Sequence, residues 1–180
     1  MKNKLRKEGL SARNRLTKED IIEKSEIIKE RLLNSKDYKN SEIVCIYVSF
    51  GSEVDTHLII KEALKEKEVC VPVVQGNELI LSKINDFSDL DKKNKHHILE
   101  PSSAIEVDKR LVDLMIVPGI AFDKSKHRIG YGKGFYDKLL KDFKGDKAAI
   151  AFDLQVIDRV PAEEHDIKMD KVITEKRVIG

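Results

Sequence analysis

Residues 128–137, RIGYGKGFYD, combine the backbone freedom and the charged side chains that binding of a phosphate group requires. Glycines let the main chain approach an anion closely and turn its N–H groups toward it. Arg128 and Lys133 add positive charge, and Asp137 has oxygens that can bind a divalent cation. The run lacks the Lys-Ser/Thr order of a P-loop and the spacing GxGxxG after a strand. The glycine pattern alone therefore leaves open a phosphate cradle and a structural turn.

Length and composition restrict the class of protein. The chain has 180 residues, enough for one domain with a hydrophobic core, and we treat residues 1–180 as a single domain. Its net charge is +2, from 34 basic and 32 acidic residues, so its overall field does not require nucleic acid or a membrane as partner. No apolar run approaches the roughly 20 residues that span a bilayer, and the basic N-terminus lacks the apolar core of a secretory signal. We expect a cytoplasmic monomer.

The hydrophobic pattern predicts the elements that must position the glycine run. Helical periodicity predicts helices over residues 2–16, 18–33, 56–67 and 135–144. Continuous apolar runs predict strands that are buried on both faces, over residues 41–49, 69–74, 111–117 and 147–152. A hairpin partner is predicted over residues 78–84, with short edge strands over residues 172–174 and 177–179. Residues 85–109 are polar, and we expect them to wrap the surface with His96 and His97 in solvent.

Three local features refine this pattern. Thr17 and Asp20 resemble a capping box at the start of the second helix. Cys45 and Cys70 lie in apolar runs, which favours two buried thiols in a cytosolic protein; a disulfide or a metal pair stays open, without a spacing signature for either. The alternation of helices and strands predicts an α/β domain with a largely parallel sheet. Ligands bind beyond the carboxyl ends of such strands, where SFGSEVDT (residues 49–56) and the glycine run both fall.

The longer stretch VPGIAFDKSKHRIGYGKGFYDKLL resembles the signature of the 5-formyltetrahydrofolate cyclo-ligase family, also called methenyltetrahydrofolate synthetases. Three further segments agree with that family: KNKLR near the start, YVSFGSEVDT after the first strand and VPAEEHDIKMDKVITE near the end. The resemblance spans about residues 2–176. It implies a three-layer α/β sandwich with a mostly parallel, Rossmann-like sheet flanked by helices. It also implies an enzyme that uses ATP and Mg²⁺ to convert 5-formyltetrahydrofolate to 5,10-methenyltetrahydrofolate, releasing ADP and phosphate.

The resemblance also implies a mechanism and a role for individual residues. Phosphorylation of the formyl oxygen followed by attack of the folate N10 needs positioned phosphates rather than a protein nucleophile. Lys133 and Arg128 would be catalytic, and Asp137 and Asp166 would bind Mg²⁺. The implied ATP contacts are Lys2, Arg6, Arg128, Ile129, Gly130, Tyr131, Gly132, Lys133, Gly134, Phe135 and Tyr136. The implied folate contacts are Val48, Glu53, Tyr131, Gly132, Lys133, Gly134 and Phe135.

Considered without the resemblance, several of these residues have simpler interpretations. Lys2 and Arg6 fit a solvated basic helix, Asp166 a surface acid, Glu53 an acid at a helix start, and Phe135 core packing. The chain also departs from the family pattern: Phe135 replaces a common Tyr, and the DKSKH insert lacks the usual glycine.

Two other functions remain as alternatives. A sugar-phosphate isomerase or CoA-transferase-like enzyme on a related scaffold would use a carboxylate such as Glu53 without ATP, and would leave the glycine–lysine–aspartate run without a use. A nucleic-acid-binding module would use the basic residues 2–15, but no interleaved aromatic residues accompany them.

Overall fold

A computed structural model describes all residues of the chain, Met1–Gly180. Its helices are α1 (Lys2–Arg13), α2 (Lys18–Leu33), α3 (Lys36–Asn40), α4 (His57–Ala63) and α5 (Phe135–Leu140). Its first strands are β1 (Ile43–Ile46), β2 (Glu68–Gln75), β3 (Glu78–Ile84), β4 (Lys92–Lys93), β5 (Leu99–Glu100) and β6 (Glu106–Val107). The others are β7 (Leu114–Val117), β8 (Ala121–Asp123), β9 (Arg128–Ile129), β10 (Asp146–Ile150), β11 (Val156–Ile157), β12 (Lys171–Ile173) and β13 (Val178–Ile179).

The central sheet has eight strands in the order β13-β12-β10-β7-β1-β2-β3-β6. The pairs from β12 through β10, β7 and β1 to β2 are parallel, and the strands outside them pair antiparallel. The sequences of β1 (IVCI) and β7 (LMIV) are apolar without interruption because both faces of these inner strands are covered. The predicted α/β fold with a mostly parallel sheet flanked by helices is confirmed.

Helices cover both faces of this sheet, so the fold has three layers. Alternate residues of β7 enter different apolar clusters, as the two-residue period of a strand requires. Leu114 and Ile116 share their cluster with Ile28 of α2 and with residues of α4. Met115 and Val117 share theirs with residues of α5. None of the five helices combines the length and the apolar composition needed to cross a bilayer.

Several local predictions are confirmed and others need correction. Thr17 Oγ1 accepts a hydrogen bond from the N–H of Asp20 at 3.1 Å, and the N–H of Thr17 donates to Asp20 Oδ2 at 2.9 Å, which completes the capping box. Cys45 and Cys70 are both free and buried, opposite each other in β1 and β2. The last predicted helix is shorter than residues 135–144, since α5 ends at Leu140.

A second, three-stranded sheet in the order β11-β8-β9 was not predicted, although it carries the start of the glycine run. The turn between β8 and β9 is organised by Asp123, which is buried. This carboxylate accepts hydrogen bonds from the N–H groups of His127 at 3.0 Å and Val160 at 2.9 Å. The turn that lacks the family's usual glycine is therefore fixed by a side chain, with Lys126 at a φ of 68°.

Gly145 approaches the main chain closely enough to give a stability prediction. A Cβ at this residue would lie 2.6 Å from the carbonyl oxygens of Val112 and Asp113. These oxygens belong to the main chain that enters β7, which cannot move without disturbing the sheet. We expect Gly145→Ala to lower the free energy of unfolding by about 1–3 kcal/mol, measured by urea denaturation. Lys144→Ala, at an exposed neighbouring position, is the control; equal stability of the two variants would contradict the prediction.

Candidate active site

A cavity of about 670 Å³ lies beyond the carboxyl ends of the parallel strands. Tyr47 and Val48, which directly follow β1, line it together with Pro118, which follows β7. Val74, near the end of β2, lines it as well. This is the edge at which open α/β sheets bind their ligands.

The cavity brings together residues that are far apart in the chain. Every residue proposed for the site on sequence grounds lines it, apart from Ile129: Lys2, Arg6, Val48, Glu53, Arg128, Gly130, Tyr131, Gly132, Lys133, Gly134, Phe135, Tyr136, Asp137 and Asp166. The Ile129 side chain is buried in a small apolar cluster with Ala121 and Val160. Phe135 lines the cavity although core packing was an alternative for it.

The glycine loop, residues 130–134, presents its main chain to the cavity. Gly132 has a φ of 96° and Gly134 a φ of 68°, a region that residues with a Cβ rarely adopt. The N–H groups of residues 131–134 donate to no main-chain carbonyl, and these residues are exposed. A row of N–H donors without protein acceptors, next to positive charge, is suited to bind an anion.

Three cationic side chains reach this loop from different elements. Arg6 of α1 donates from Nε to the carbonyl of Gly130 at 2.9 Å. Arg128 is buried and donates from Nη2 to Asp137 Oδ1 at 3.0 Å, while its Nε has no hydrogen-bond partner. Lys133 is exposed, and its Nζ lies 3.1 Å from His96 Nε2. The positive charge is therefore partly fixed in place, through Arg6 and Arg128, and partly free to reach a ligand, through Lys133.

Lys2 and Asp166 contact each other although the chain separates them by 164 residues. Lys2 Nζ lies 2.6 Å from Asp166 Oδ2 and 3.0 Å from Glu163 Oε1. Burial works against the charged form of Lys2, but its hydrogen bonds to Asp166 and Glu163 outweigh this and raise the pKa of Lys2. Burial likewise opposes ionisation of Asp166, whereas the hydrogen bonds from Lys2 and the Glu163 N–H lower its pKa. This ion pair closes the end of the cavity where α1 begins.

A buried carboxylate, Glu53, lies on the side of the cavity that β1 supplies. Its Oε1 accepts from the Tyr131 hydroxyl at 2.5 Å, and its Oε2 accepts from the N–H of Phe50 at 3.0 Å. Burial raises the pKa of Glu53, while Tyr131 and the charge of Arg13 act in the opposite direction. Tyr47, Tyr131 and Tyr136 line the same cavity, so the site offers a buried acceptor group together with aromatic rings.

The acidic groups of the cavity do not form a ready metal-binding cluster. No group of three or more His, Cys, Asp and Glu side chains is arranged to hold a metal ion. Asp137 and Asp166, the two predicted metal ligands, each accept a hydrogen bond from a cation, Arg128 and Lys2 respectively. Mg²⁺ typically takes only one or two carboxylates and completes its shell with water and phosphate oxygens. These two carboxylates are too few to bind Mg²⁺ by themselves. They fit an ion whose other ligands are phosphate oxygens and water.

One wall of the cavity comes from the stretch that was expected to wrap the surface. Around β4 and β5, five residues of this stretch line the cavity: Asn94, His96, Ile98, Leu99 and Glu100. His96 is exposed, as predicted, but it faces the site beside Lys133 rather than bulk solvent alone. The adjacent apolar residues Ile98 and Leu99 were the sequence signal for this wall. Arg13, which donates a hydrogen bond to the Tyr131 hydroxyl, was likewise not singled out.

The fold and the cavity define an α/β protein with a glycine loop suited to bind an anion and a buried acid at the carboxyl edge of a parallel sheet. The sequence model of the 5-formyltetrahydrofolate cyclo-ligase family matches residues 1–175. The chain belongs to the 5-formyltetrahydrofolate cyclo-ligase family and is therefore an enzyme of the ligase class.

Individual relatives agree with this assignment. The 5-formyltetrahydrofolate cyclo-ligase of Mus musculus is 31% identical over 160 residues, which cover 81% of this chain and 79% of the mouse protein. The protein of that name from Mycolicibacterium smegmatis is 42% identical over 154 residues, covering 76% of this chain and 75% of its own. The NMR structure of Aquifex aeolicus 5,10-methenyltetrahydrofolate synthetase superposes with a TM-score of 0.89 at 38% identity, covering 98% of this chain and 91% of that one.

Proposed function

We propose that this enzyme converts 5-formyltetrahydrofolate to 5,10-methenyltetrahydrofolate with consumption of ATP and release of ADP and phosphate. The observation that carries the proposal is one cavity that joins the unsatisfied N–H groups of the glycine loop, four lysine and arginine side chains and the buried acid Glu53. The first two features suit a triphosphate, and the third suits a heterocycle that carries N–H donors. The names of the relatives supply the substrate.

The reaction needs an activated formyl group, because the carbonyl of an amide is a poor electrophile and its oxygen a poor leaving group. In the proposed sequence the γ-phosphoryl group of ATP is transferred to the formyl oxygen, which releases ADP. N10 of the folate then attacks the formyl carbon, N10 loses its proton, and the C–O bond breaks as phosphate leaves. The protein contributes positioning and charge neutralisation in this scheme and needs no nucleophile of its own.

Phosphate positioning is assigned to the glycine loop and its cations. The N–H groups of residues 131–134 would bind phosphate oxygens, and Lys133 would contact the group being transferred. Arg128 is held by Asp137 at the base of the loop, with its Nε still without a partner. Arg6 is held by the carbonyl of Gly130, and Lys2 by Asp166, at the far end of the same cavity. Charge would thus be supplied along the whole length of the bound triphosphate.

Asp137 and Asp166 would bind Mg²⁺ together with the phosphates. When bound, the ion would neutralise charge on the transferred group and its leaving group. The Asp137 side chain is 29% exposed and uses Oδ1 for Arg128, which leaves Oδ2 for a further ligand.

Glu53 is assigned to the pterin ring. A pterin carries an amino group and a ring N–H side by side, and a carboxylate accepts two such hydrogen bonds at once. Tyr47, Tyr131 and Tyr136 line the same cavity, and aromatic rings suit the faces of a planar ring. The alternative isomerase or CoA-transferase-like function is less well supported, because it assigns no role to the glycine loop and its cations.

An absorbance assay tests the proposed function. Purified protein with ATP, Mg²⁺ and 5-formyltetrahydrofolate should develop the absorbance of methenyltetrahydrofolate, and omission of ATP should abolish the signal. ADP and phosphate should form in a 1:1 ratio with the product. Folded protein that gives no signal with all components present would refute the proposal, and so would product formation that is independent of ATP.

A further inference from the structure

Arg13, the last residue of α1, carries a buried charge that the proposed chemistry has not used. The residue is only 4% exposed and does not line the cavity. Its hydrogen bonds go to two hydroxyl oxygens: Nε donates to Ser52 Oγ at 3.1 Å and Nη2 donates to Tyr131 Oη at 2.9 Å. Burial of a guanidinium without direct contact to a carboxylate is unfavourable unless the surroundings compensate for it. The compensation comes through Tyr131.

The direction of the hydrogen bonds from Arg13 through Tyr131 to Glu53 is fixed by chemistry. Arginine has donors only, so the Tyr131 oxygen must accept from Arg13. The one proton of the hydroxyl is then available for Glu53, whose Oε1 lies 2.5 Å away. Glu53 must accept this proton, and its Oε2 must also accept from the N–H of Phe50. The arrangement is therefore satisfied when Glu53 is ionised, and each carboxylate oxygen keeps a further lone pair that a ligand donor could use.

We infer that Arg13 is a positioning residue that acts through the Tyr131 hydroxyl to hold Glu53 as an ionised acceptor for the folate ring. The inference rests on the proposed function. The guanidinium carbon of Arg13 also lies 5.8 Å from the centre of the Tyr131 ring, within the range of a cation–π contact, so Arg13 contacts both the ring and the hydroxyl. Tyr131 belongs to the glycine loop, but Arg13 contacts its side chain and not the main-chain N–H groups that are assigned to phosphate.

The contacts make the effect of Arg13 specific for one substrate. Glu53 is the acid assigned to folate, whereas the phosphate-binding cations Lys2 and Arg6 lie at the other end of α1. Residues 2 and 13 are separated by eleven positions, or about 16 Å along a helix. Loss of the Arg13 charge should therefore weaken folate binding and leave ATP binding unchanged.

The pH dependence of kcat/KM for folate gives a second test of the role of Arg13. Burial raises the pKa of Glu53, and Tyr131 and Arg13 oppose that rise. The titratable and charged groups that face Glu53 are Arg13, Tyr47, Tyr131 and Tyr136. Of these, only Arg13 is positively charged, so its removal must raise the pKa of Glu53 further. Because the ionised form binds folate, the acidic limb of kcat/KM for folate should move to higher pH.

The experiment compares Arg13→Gln with Arg13→Lys and with the control Arg15→Gln, which removes the same charge from an exposed position two residues away. We expect Arg13→Gln to raise the KM for 5-formyltetrahydrofolate about 10-fold, leave the KM for ATP unchanged and move the acidic limb upward. Arg13→Lys keeps the positive charge, so its folate KM and acidic limb should lie between those of Arg13→Gln and the wild type. Arg15→Gln should match the wild type.

Tyr131→Phe keeps the test decisive if Arg13→Gln does not fold. This change removes only the hydroxyl from a residue that is 41% exposed. As for Arg13→Gln, the folate KM should rise and the acidic limb should move to higher pH. Wild-type values for both quantities in a folded Arg13→Gln or Tyr131→Phe protein would overturn the inference, as would equal increases in the two KM values. A wild-type protein without turnover would instead refute the proposed function, and the inference with it.

Discussion

Replacement of Lys133 by alanine is expected to lower kcat by about 10²–10³-fold, as removal of one charge-stabilising donor does in other active sites. The side chain is exposed, and its Nζ lies 3.1 Å from His96 Nε2 and 5.8 Å from the centre of the Phe135 ring. Neither contact contributes to the core. The free energy of unfolding should therefore stay within about 0.5 kcal/mol of the wild-type value.

Steady-state kinetics for both substrates, together with urea denaturation, would test this expectation for Lys133. Lys124→Ala is the matched control, because it removes a lysine from an exposed position outside the cavity. It should leave both kcat and stability unchanged. A Lys133→Ala protein that loses activity and stability in parallel would show that the lysine is structural, and one with wild-type kcat would show that it does not contact the transferred phosphoryl group.

Asp137→Asn is expected to lower kcat by about 100-fold or more and to raise the Mg²⁺ concentration needed for half-maximal rate. The asparagine oxygen can still accept from Arg128 Nη2, so the local geometry is retained while the negative charge is lost. The side chain of Arg128 is only 4% exposed, so loss of its charged partner should also lower the free energy of unfolding by about 1–3 kcal/mol. This joint loss distinguishes Asp137 from Lys133.

A Mg²⁺ titration of the rate, repeated as a titration of Mg²⁺-dependent ATP binding by calorimetry, would measure the effect of Asp137→Asn. Asp142→Asn is the control: Asp142 is exposed and has a φ of 60°, a conformation that asparagine also adopts readily. The same Mg²⁺ requirement in wild type and Asp137→Asn would contradict the assignment of Asp137 to the metal, whatever the loss of stability.

The inner part of the sheet could be predicted because its residues carry an unambiguous signal. The runs in β1 and β7 are apolar at every position, which is typical of strands covered on both faces. The short strands β8 and β9 have no such signal. Their turn depends on hydrogen bonds from His127 and Val160 to Asp123, and the contact with Val160 joins residues 37 positions apart. Elements of two or three residues that tertiary contacts stabilise leave little trace in a local pattern.

The site could be predicted where a motif is contiguous, and could not where contacts join distant segments. The glycine loop with Arg128, Lys133 and Asp137 is one uninterrupted run. The wall around Ile98 was missed because two apolar residues in a polar stretch are a weak signal. The contact between Arg13 and Tyr131 spans 118 residues, and nothing near Arg13 in the sequence distinguishes it from the other basic residues of α1.

Cys45 and Cys70 lie side by side on neighbouring inner strands, so their reaction with a thiol reagent reports when the core of the protein opens. Both thiols are at most 1% exposed, so an alkylating reagent can modify them only after the centre of the sheet has separated. The rate of alkylation in native buffer would thus measure how often the core unfolds far enough to expose the two thiols. A cysteine introduced on the surface would also accept a fluorophore selectively, without prior removal of the native pair.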